Sequence, residues 1–287
     1  MTTIRIGILG PLRVEFGSTE AALSGARLRS ILSILAIRAD GEVQRDELIE
    51  ELNLSQTTDN ATNALHAHVA RIRRWLERHG GRPDLLETVN SGYRLNVDQD
   101  AVDARQFVAL VERAVNLAPA TPSVVATILE DALPLWRGSA LPDALDGPLG
   151  AAAADELHHW RAIARQTLID AWLSLDHNRK VVLNARRFIA EDPLNEVVRA
   201  RYITALRRMG RHAEAIEVYK DAERVLGEEL GIGPGAELHA AAIESSGPGT
   251  RPRPAPVSQR REHRSLGESG RREPSFVGSA GRAVPLR

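Results

Sequence analysis

The stretch NALHAHVARIRRWL, Asn63 to Leu76, decides how the rest of the chain is read. Turning about 100° per residue from Leu65 gathers Ala61, Leu65, Val69, Ile72 and Leu76 into one apolar stripe. That spacing predicts a helix over residues 60–79. Roughly opposite the stripe lie Asn63, Ala67, Ala70, Arg71, Arg74 and Arg78, a face with no carboxylate. The run Arg71, Arg73, Arg74, Arg78 has only Glu77 to balance it, whereas a merely solvated helix mixes charge signs. Arginine grips phosphate and pairs bidentately with guanine O6 and N7, and asparagine matches adenine. Ala67 and Ala70 have no bulk to hold the helix out of a major groove, and their methyls suit thymine methyls. His66 stands on the flank of this face, within reach of a phosphate or base. The pattern points to double-stranded DNA.

The flanking segments build a frame around this helix. Ile4 to Phe16 alternates apolar and polar residues on either side of Gly10-Pro11, predicting two short strands joined tightly. Leu28 to Ala39 sets Leu28, Ile31, Leu32, Leu35 and Ala36 on one helical face, and Gly41 ends that helix. Arg45 to Leu52 reads as a second, shorter helix. NLSQTTDN, residues 53–60, reads as a polar loop in which Thr58, Asp59 or Asn60 caps the Asn63 helix. LLETVNSGYRLNV, residues 85–97, is a hairpin around Asn-Ser-Gly. Its second strand carries Tyr93 and Arg94 to where a wing meets the DNA backbone or minor groove. Three helices followed by a two-stranded hairpin is the order of a winged helix-turn-helix.

From Val102 onward the chain turns helical. Phe107, Leu110, Val111 and Ala114 form one stripe, residues 128–136 another, and a long helix is predicted over residues 151–176. Residues 191–232 read as a helix pair about Gly210. There Leu206, Gly210, Ala213, Ala215, Ile216, Tyr219 and Ala222 follow the tetratricopeptide (TPR) pattern. One such unit does not bury its own face, so the earlier helices are expected to stack on it. A last helix starts at Ala236. The expected fold is therefore mostly α: a winged helix (α+β) over residues 1–98, an all-α TPR-like domain over 102–245 and a tail over 246–287. The tail is rich in Pro, Gly, Ser and Arg and is expected to be disordered.

The net charge of −1 conceals its distribution. Residues 1–97 balance twelve arginines against twelve acids, and the tail sets nine arginines against three glutamates. The acidic middle offsets that tail, so any basic footprint on folded surface is local. Several classes drop out. There are no cysteines, hence no disulfides, thiolate zinc sites or thiol catalysis. No apolar run reaches the ~18 residues of a membrane span. His66 and His68 diverge by about 200° on a helix and do not share an ion. His158 and His159 diverge similarly, and no metal site is expected. Lys180 and Lys220, the only lysines, lie in no phosphate-binding loop, and no GxSxG or GxGxxG occurs. The chain is read as cytoplasmic, with no catalytic residues and no cofactor.

With those segments in order, the chain resembles the Streptomyces antibiotic regulatory protein family over about residues 4–244. ILGPLRVEF, LSGARLRSILSILAIRADGEVQRDELIEEL, NALHAHVARIRRWLE and SGYRLNVDQDAVDARQF match its OmpR-type winged-helix half in order and spacing. LPLWRGSALPDA and the long EDPLNEVVRARYITALRRMGRHAEAIEVYKDAERVLGEELGIGPGAEL match its bacterial transcriptional activation half. The resemblance implies an activator of secondary-metabolite (antibiotic) genes. Such a protein binds direct repeats near the −35 region as tandem protomers or a homodimer, and recruits RNA polymerase holoenzyme. It also implies that Asn63, His66, Arg71 and Arg74 lie on the recognition helix and Tyr93 and Arg94 on the wing. Arg27, opening the first helix, falls where the family often has a phosphate-facing base. Where the family has a Trp-Gly-acidic-Pro-Pro loop, this chain reads NLSQTTD, residues 53–59. REPSFVG, residues 272–278, resembles the lead-in to the ATPase domain of longer members. Competing readings are a TPR-type interaction protein, a ligand-sensing regulator, and a truncated, repressor-like member.

Overall fold

Apolar residues alternating with polar ones bring Ile4–Gly7 (β1) and Arg13–Phe16 (β2) into antiparallel register, Ile4 opposite Phe16 and Gly7 opposite Arg13. Thr19–Glu20 (β3) adds to the outer edge of β2. The structure, a computed structural model, describes residues 3–39, 41–57, 60–118 and 120–243. The tail expected to be disordered, and with it REPSFVG, lies outside the described residues, as do Thr58 and Asp59.

Three helices follow the first sheet. Ala26–Ile37 (α1) is buried without a break from Ser30 to Ala36, more than the one face that its periodicity marks. The reason is position: α1 is packed against the helix over Ala61–Arg78 on one side and a helix of the C-terminal half on another. Glu42–Gln44 (β4), too short to show a period, leads into Arg45–Glu51 (α2). The polar loop expected next is partly helical: Leu54–Thr57 makes a single turn, α3. Asn53 leaves α2 at φ 50°, which asparagine tolerates better than most residues, and Leu54 is thereby drawn fully into the core. Ala61–Arg78 (α4) then runs over nearly the predicted span, and the Asn60 side chain accepts the Asn63 N–H at 3.0 Å as its cap.

Leu86–Val89 (β5) and Gly92–Leu95 (β6) form the predicted hairpin, and β4 completes a sheet of order β4-β6-β5. Gly92 is required where β6 crosses β4: a methyl added there would collide with the Val43 carbonyl.

The C-terminal half comprises Asp103–Leu117 (α5), Pro122–Ala132 (α6), Pro148–Ser174 (α7), Asn178–Glu191 (α8), Glu196–Arg208 (α9), His212–Leu230 (α10) and Ala236–Ile243 (α11). The periodicity reading does not mark α8, which buries Val181, Val182, Ala185 and Phe188. Of the TPR pattern, Leu206, Ala215 and Ala222 are buried and Gly210 turns the chain at φ 74°. Ala213 and Ile216 are exposed, because α10 packs on α9 and α11 and no further repeat among the described residues covers its other side.

The two halves share one continuous core instead of holding one each. Carboxylates bolt them together. Asp103 at the start of α5 accepts the N–H groups of Ile8 (2.7 Å) and Leu9. Burial pushes its carboxyl above the ordinary range, against the pull of those two N–H groups and of Arg137. Asp143 accepts from the Leu12 N–H at 2.8 Å and from Arg29 Nε at 2.7 Å. Glu51, the last residue of α2 and 2% exposed, accepts the N–H groups of Leu149 (2.7 Å) and Gly150 (2.9 Å) at the start of α7. Among the described residues, no helix is long and apolar enough to cross a membrane.

Candidate nucleic-acid interface

On α4 the apolar stripe does what its spacing dictates: Leu65, Val69, Ile72 and Leu76 are buried, joined by Trp75. Trp75 donates from Nε1 to the Ala22 carbonyl at 3.1 Å and meets Phe16 edge to face, fixing the helix against the first sheet. With that side anchored, Asn63, His66, Ala67, Ala70, Arg71, Arg74 and Arg78 are all exposed, and so is Arg27 at the start of α1. Among the described residues, Arg71, Arg74 and Arg78 have no carboxylate partner within ion-pair distance. Arg74 Nε and Arg78 Nε only bend back to the carbonyls of Ala70 (3.3 Å) and Arg74 (3.2 Å). Cations left unpaired on an anchored helix, with Glu77 as its one exposed acid, are what a polyanion requires.

Arg73 belongs to the same run in sequence but not in space. Its Nε donates to the Leu86 carbonyl at 2.8 Å and its Nη2 to Thr88 Oγ1 at 2.7 Å, with the guanidinium 6.0 Å from the Tyr93 ring centre. It ties α4 to the hairpin, so the charge of the exposed face is lower than the run suggests.

His68 is half-buried beside this face, its Nδ1 without a partner among the described residues. Burial, then the charges of Arg27 and Arg71, hold its imidazole below the ordinary histidine value. A histidine so depressed stabilises the fold above its unfolded pKa of about 6.5 and loses that contribution as pH falls from there through the folded value. His68→Gln is therefore expected to lose less stability than the native protein between pH 7 and pH 5 in urea titrations. An equal loss in both would remove His68 from the pH response.

The wing departs from expectation. Tyr93 is 2% exposed, so it is not a surface contact: it pairs with Val43 and Thr88 across the sheet and faces inward. Burial pushes its phenol upward in pKa. Arg94 points to the other side, as strand alternation requires, but is half-buried, its Nε is without a partner among the described residues, and it stands opposite Glu42 and Glu87 on the flanking strands. The tip is Asn90-Ser91, with no cation of its own. Instead Arg45, at the start of α2, donates from Nε to the Ser91 carbonyl at 2.9 Å. Glu42 accepts from the Ser91 N–H and hydroxyl. Sequence reading misses Arg45 because 46 residues separate it from the turn it braces. Among the described residues there is also no histidine and carboxylate grouping suited to a metal.

Comparison with known proteins agrees with this architecture. Residues 20–95 match the family described as transcriptional regulatory protein, C terminal, and residues 102–244 match the bacterial transcriptional activator domain. Transcriptional regulator RedD of Streptomyces coelicolor is 34% identical over 247 residues, covering 84% of this chain and 70% of that protein. Regulatory protein DnrI of Streptomyces peucetius is 28% identical, with 82% and 89% covered. Among solved structures, Mycobacterium tuberculosis EmbR in complex with a low-affinity phosphopeptide superposes with a TM-score of 0.78 at 27% identity. That match covers 84% of this chain and 64% of the EmbR chain. Fold and matches define a transcriptional regulator with an OmpR-type winged-helix DNA-binding domain. The chain belongs to the Streptomyces antibiotic regulatory protein family.

Proposed function

We propose that the protein activates secondary-metabolite genes by inserting α4 into the major groove of direct repeats near a promoter's −35 region. The observation that carries this is the exposed face of α4, which has no acid from Ala61 to Arg74 and presents Asn63, His66, Ala67, Ala70, Arg71 and Arg74 together. Arg71 and Arg74 grip DNA, Asn63 and His66 meet base edges or phosphate, and Arg27 and Arg78 lie along the backbone. The wing contributes through Arg45 and the Asn90-Ser91 tip more than through Arg94, which two glutamates oppose. Protomers on a direct repeat are related by translation, so their contact is heterologous. RNA polymerase holoenzyme is the partner that an activator in this position recruits, and the cytoplasm is where it acts.

Binding of the purified protein to fragmented genomic DNA, followed by alignment of the recovered sites, tests this reading. Direct repeats beside −35 elements are expected. Inverted repeats, or recovery at the background level, would overturn it.

A further inference from the structure

Away from α4, helices α7 and α8 gather three guanidinium groups around one carboxylate. Arg161 Nη1 lies 3.1 Å from Glu191 Oε2, and Arg165 pairs with the same oxygen. Arg187 stands close enough to act on both Glu191 and Arg161. Burial pushes the Glu191 carboxyl up, and the arginines, Arg165 foremost, outweigh it and hold it low. The guanidinium groups are held against aromatic rings. Arg161 lies 4.5 Å from the centre of Trp136, and Arg165 and Arg187 lie 4.7 and 5.3 Å from that of Phe188.

The hydrogen bonding of this cluster is incomplete. Nε of Arg161, Nε of Arg165 and Nε1 of Trp136 are buried and have no partner among the described residues, and Arg165 is only 8% exposed. His158 borders the cluster, its ring 5.4 Å from that of Trp136; burial and then the charge of Arg161 hold its imidazole below the ordinary value, against the pull of Asp155, so it adds no charge of its own at neutral pH. Buried guanidinium groups with unmet donors are costly, and one shared carboxylate leaves two positive charges uncompensated. Arg161 is half-buried and Arg187 exposed, so the cluster opens to solvent on their side.

We propose that this cluster binds the phosphoryl group of a small anionic ligand, seated against Arg161 and Arg187 while Glu191 stays on Arg165. A phosphate monoester carries roughly −1.5 to −2 at neutral pH, which matches the uncompensated charge. Its three acceptor oxygens suit the planar donor forks of arginine. The site is independent of the DNA-binding reading, and either can fail without the other.

The test is thermal unfolding of the full chain at constant ionic strength, titrated with inorganic phosphate, glycerol 3-phosphate or chloride. Native protein is compared with Arg187→Gln and Arg161→Gln. Saturable stabilisation by the phosphates and not by chloride is expected, with each variant needing at least about fivefold more ligand for the same shift. A larger response to glycerol 3-phosphate than to inorganic phosphate assigns the site to an organic phosphate, and the reverse assigns it to free phosphate. Arg187 is exposed and forms no ion pair within the described residues, so its replacement leaves the fold intact even if Arg161→Gln does not. Equal shifts in native protein and Arg187→Gln would mean an adventitious ion only, held by other arginines, and would overturn the proposal.

Discussion

Replacing Glu51 with alanine is expected to lower the unfolding free energy by about 3 kcal/mol, because it orphans two N–H groups at a helix start. The hydrogen bonds at the start of α7 show why no neighbour compensates. Pro148 opens the helix and has no N–H to satisfy, and Ala151 bonds back to the Gly147 carbonyl at 3.1 Å. The two remaining donors, Leu149 and Gly150, both go to Glu51. The carboxylate also sits at the positive end of a 27-residue helix, where negative charge is favoured. Gly147 and Gly150 keep the approach open: a methyl at Gly147 would strike Glu51, and one at Gly150 would strike the Ala144 carbonyl. Glu51→Gln retains one acceptor oxygen and is expected to lose about half as much. In thermal unfolding the alanine variant should melt roughly 6–12 °C lower. A loss below about 1 kcal/mol would mean that water takes over both donors.

Much of this architecture is legible from periodicity. The stripe from Leu65 to Leu76 places α4, Asn-Ser-Gly places the hairpin, and Gly210 places the turn between α9 and α10. These signals are local and repeat within a few residues. What escapes is set by neighbours distant in sequence. Glu51 reads as one more acid on the polar side of a short helix, and only its meeting with Leu149, 98 residues on, makes it a cap. Arg73 counts with Arg71 and Arg74 in the charge run although its helical angle sets it to one side of them, and only the folded hairpin shows what it binds. Tyr93 is misplaced for a related reason. Alternation along β6 shows that Tyr93 and Arg94 face opposite sides, and the sequence does not say that β4 pairs with β6, that α1 packs on β6 or that Arg73 of α4 lies over the tyrosine ring. The membership of the exposed α4 face is thus readable in the sequence, and the chemistry of the wing is not.

That face makes the second large prediction. Arg71→Ala with Arg74→Ala is expected to weaken binding to a cognate repeat by about 30-fold or more, since each arginine–base pairing is worth roughly 1–3 kcal/mol. Whatever share goes to phosphate appears in the salt dependence, whose slope should fall by up to about 0.9 for each phosphate that is no longer neutralised. Both side chains are exposed and bond to no other side chain among the described residues, so the variant is expected to fold and melt like the native protein. Arg73→Ala, by contrast, should reduce stability by loosening the hairpin, and lower affinity only through that. The decisive measurement is therefore the affinity of Arg71→Ala/Arg74→Ala for the recovered repeat, taken across a salt series beside the native protein. A large loss of affinity, a shallower salt slope and an unchanged melting temperature are expected if α4 reads the groove. Native-like affinity and slope in a folded variant would contradict this, because α4 would then not be the element that holds DNA.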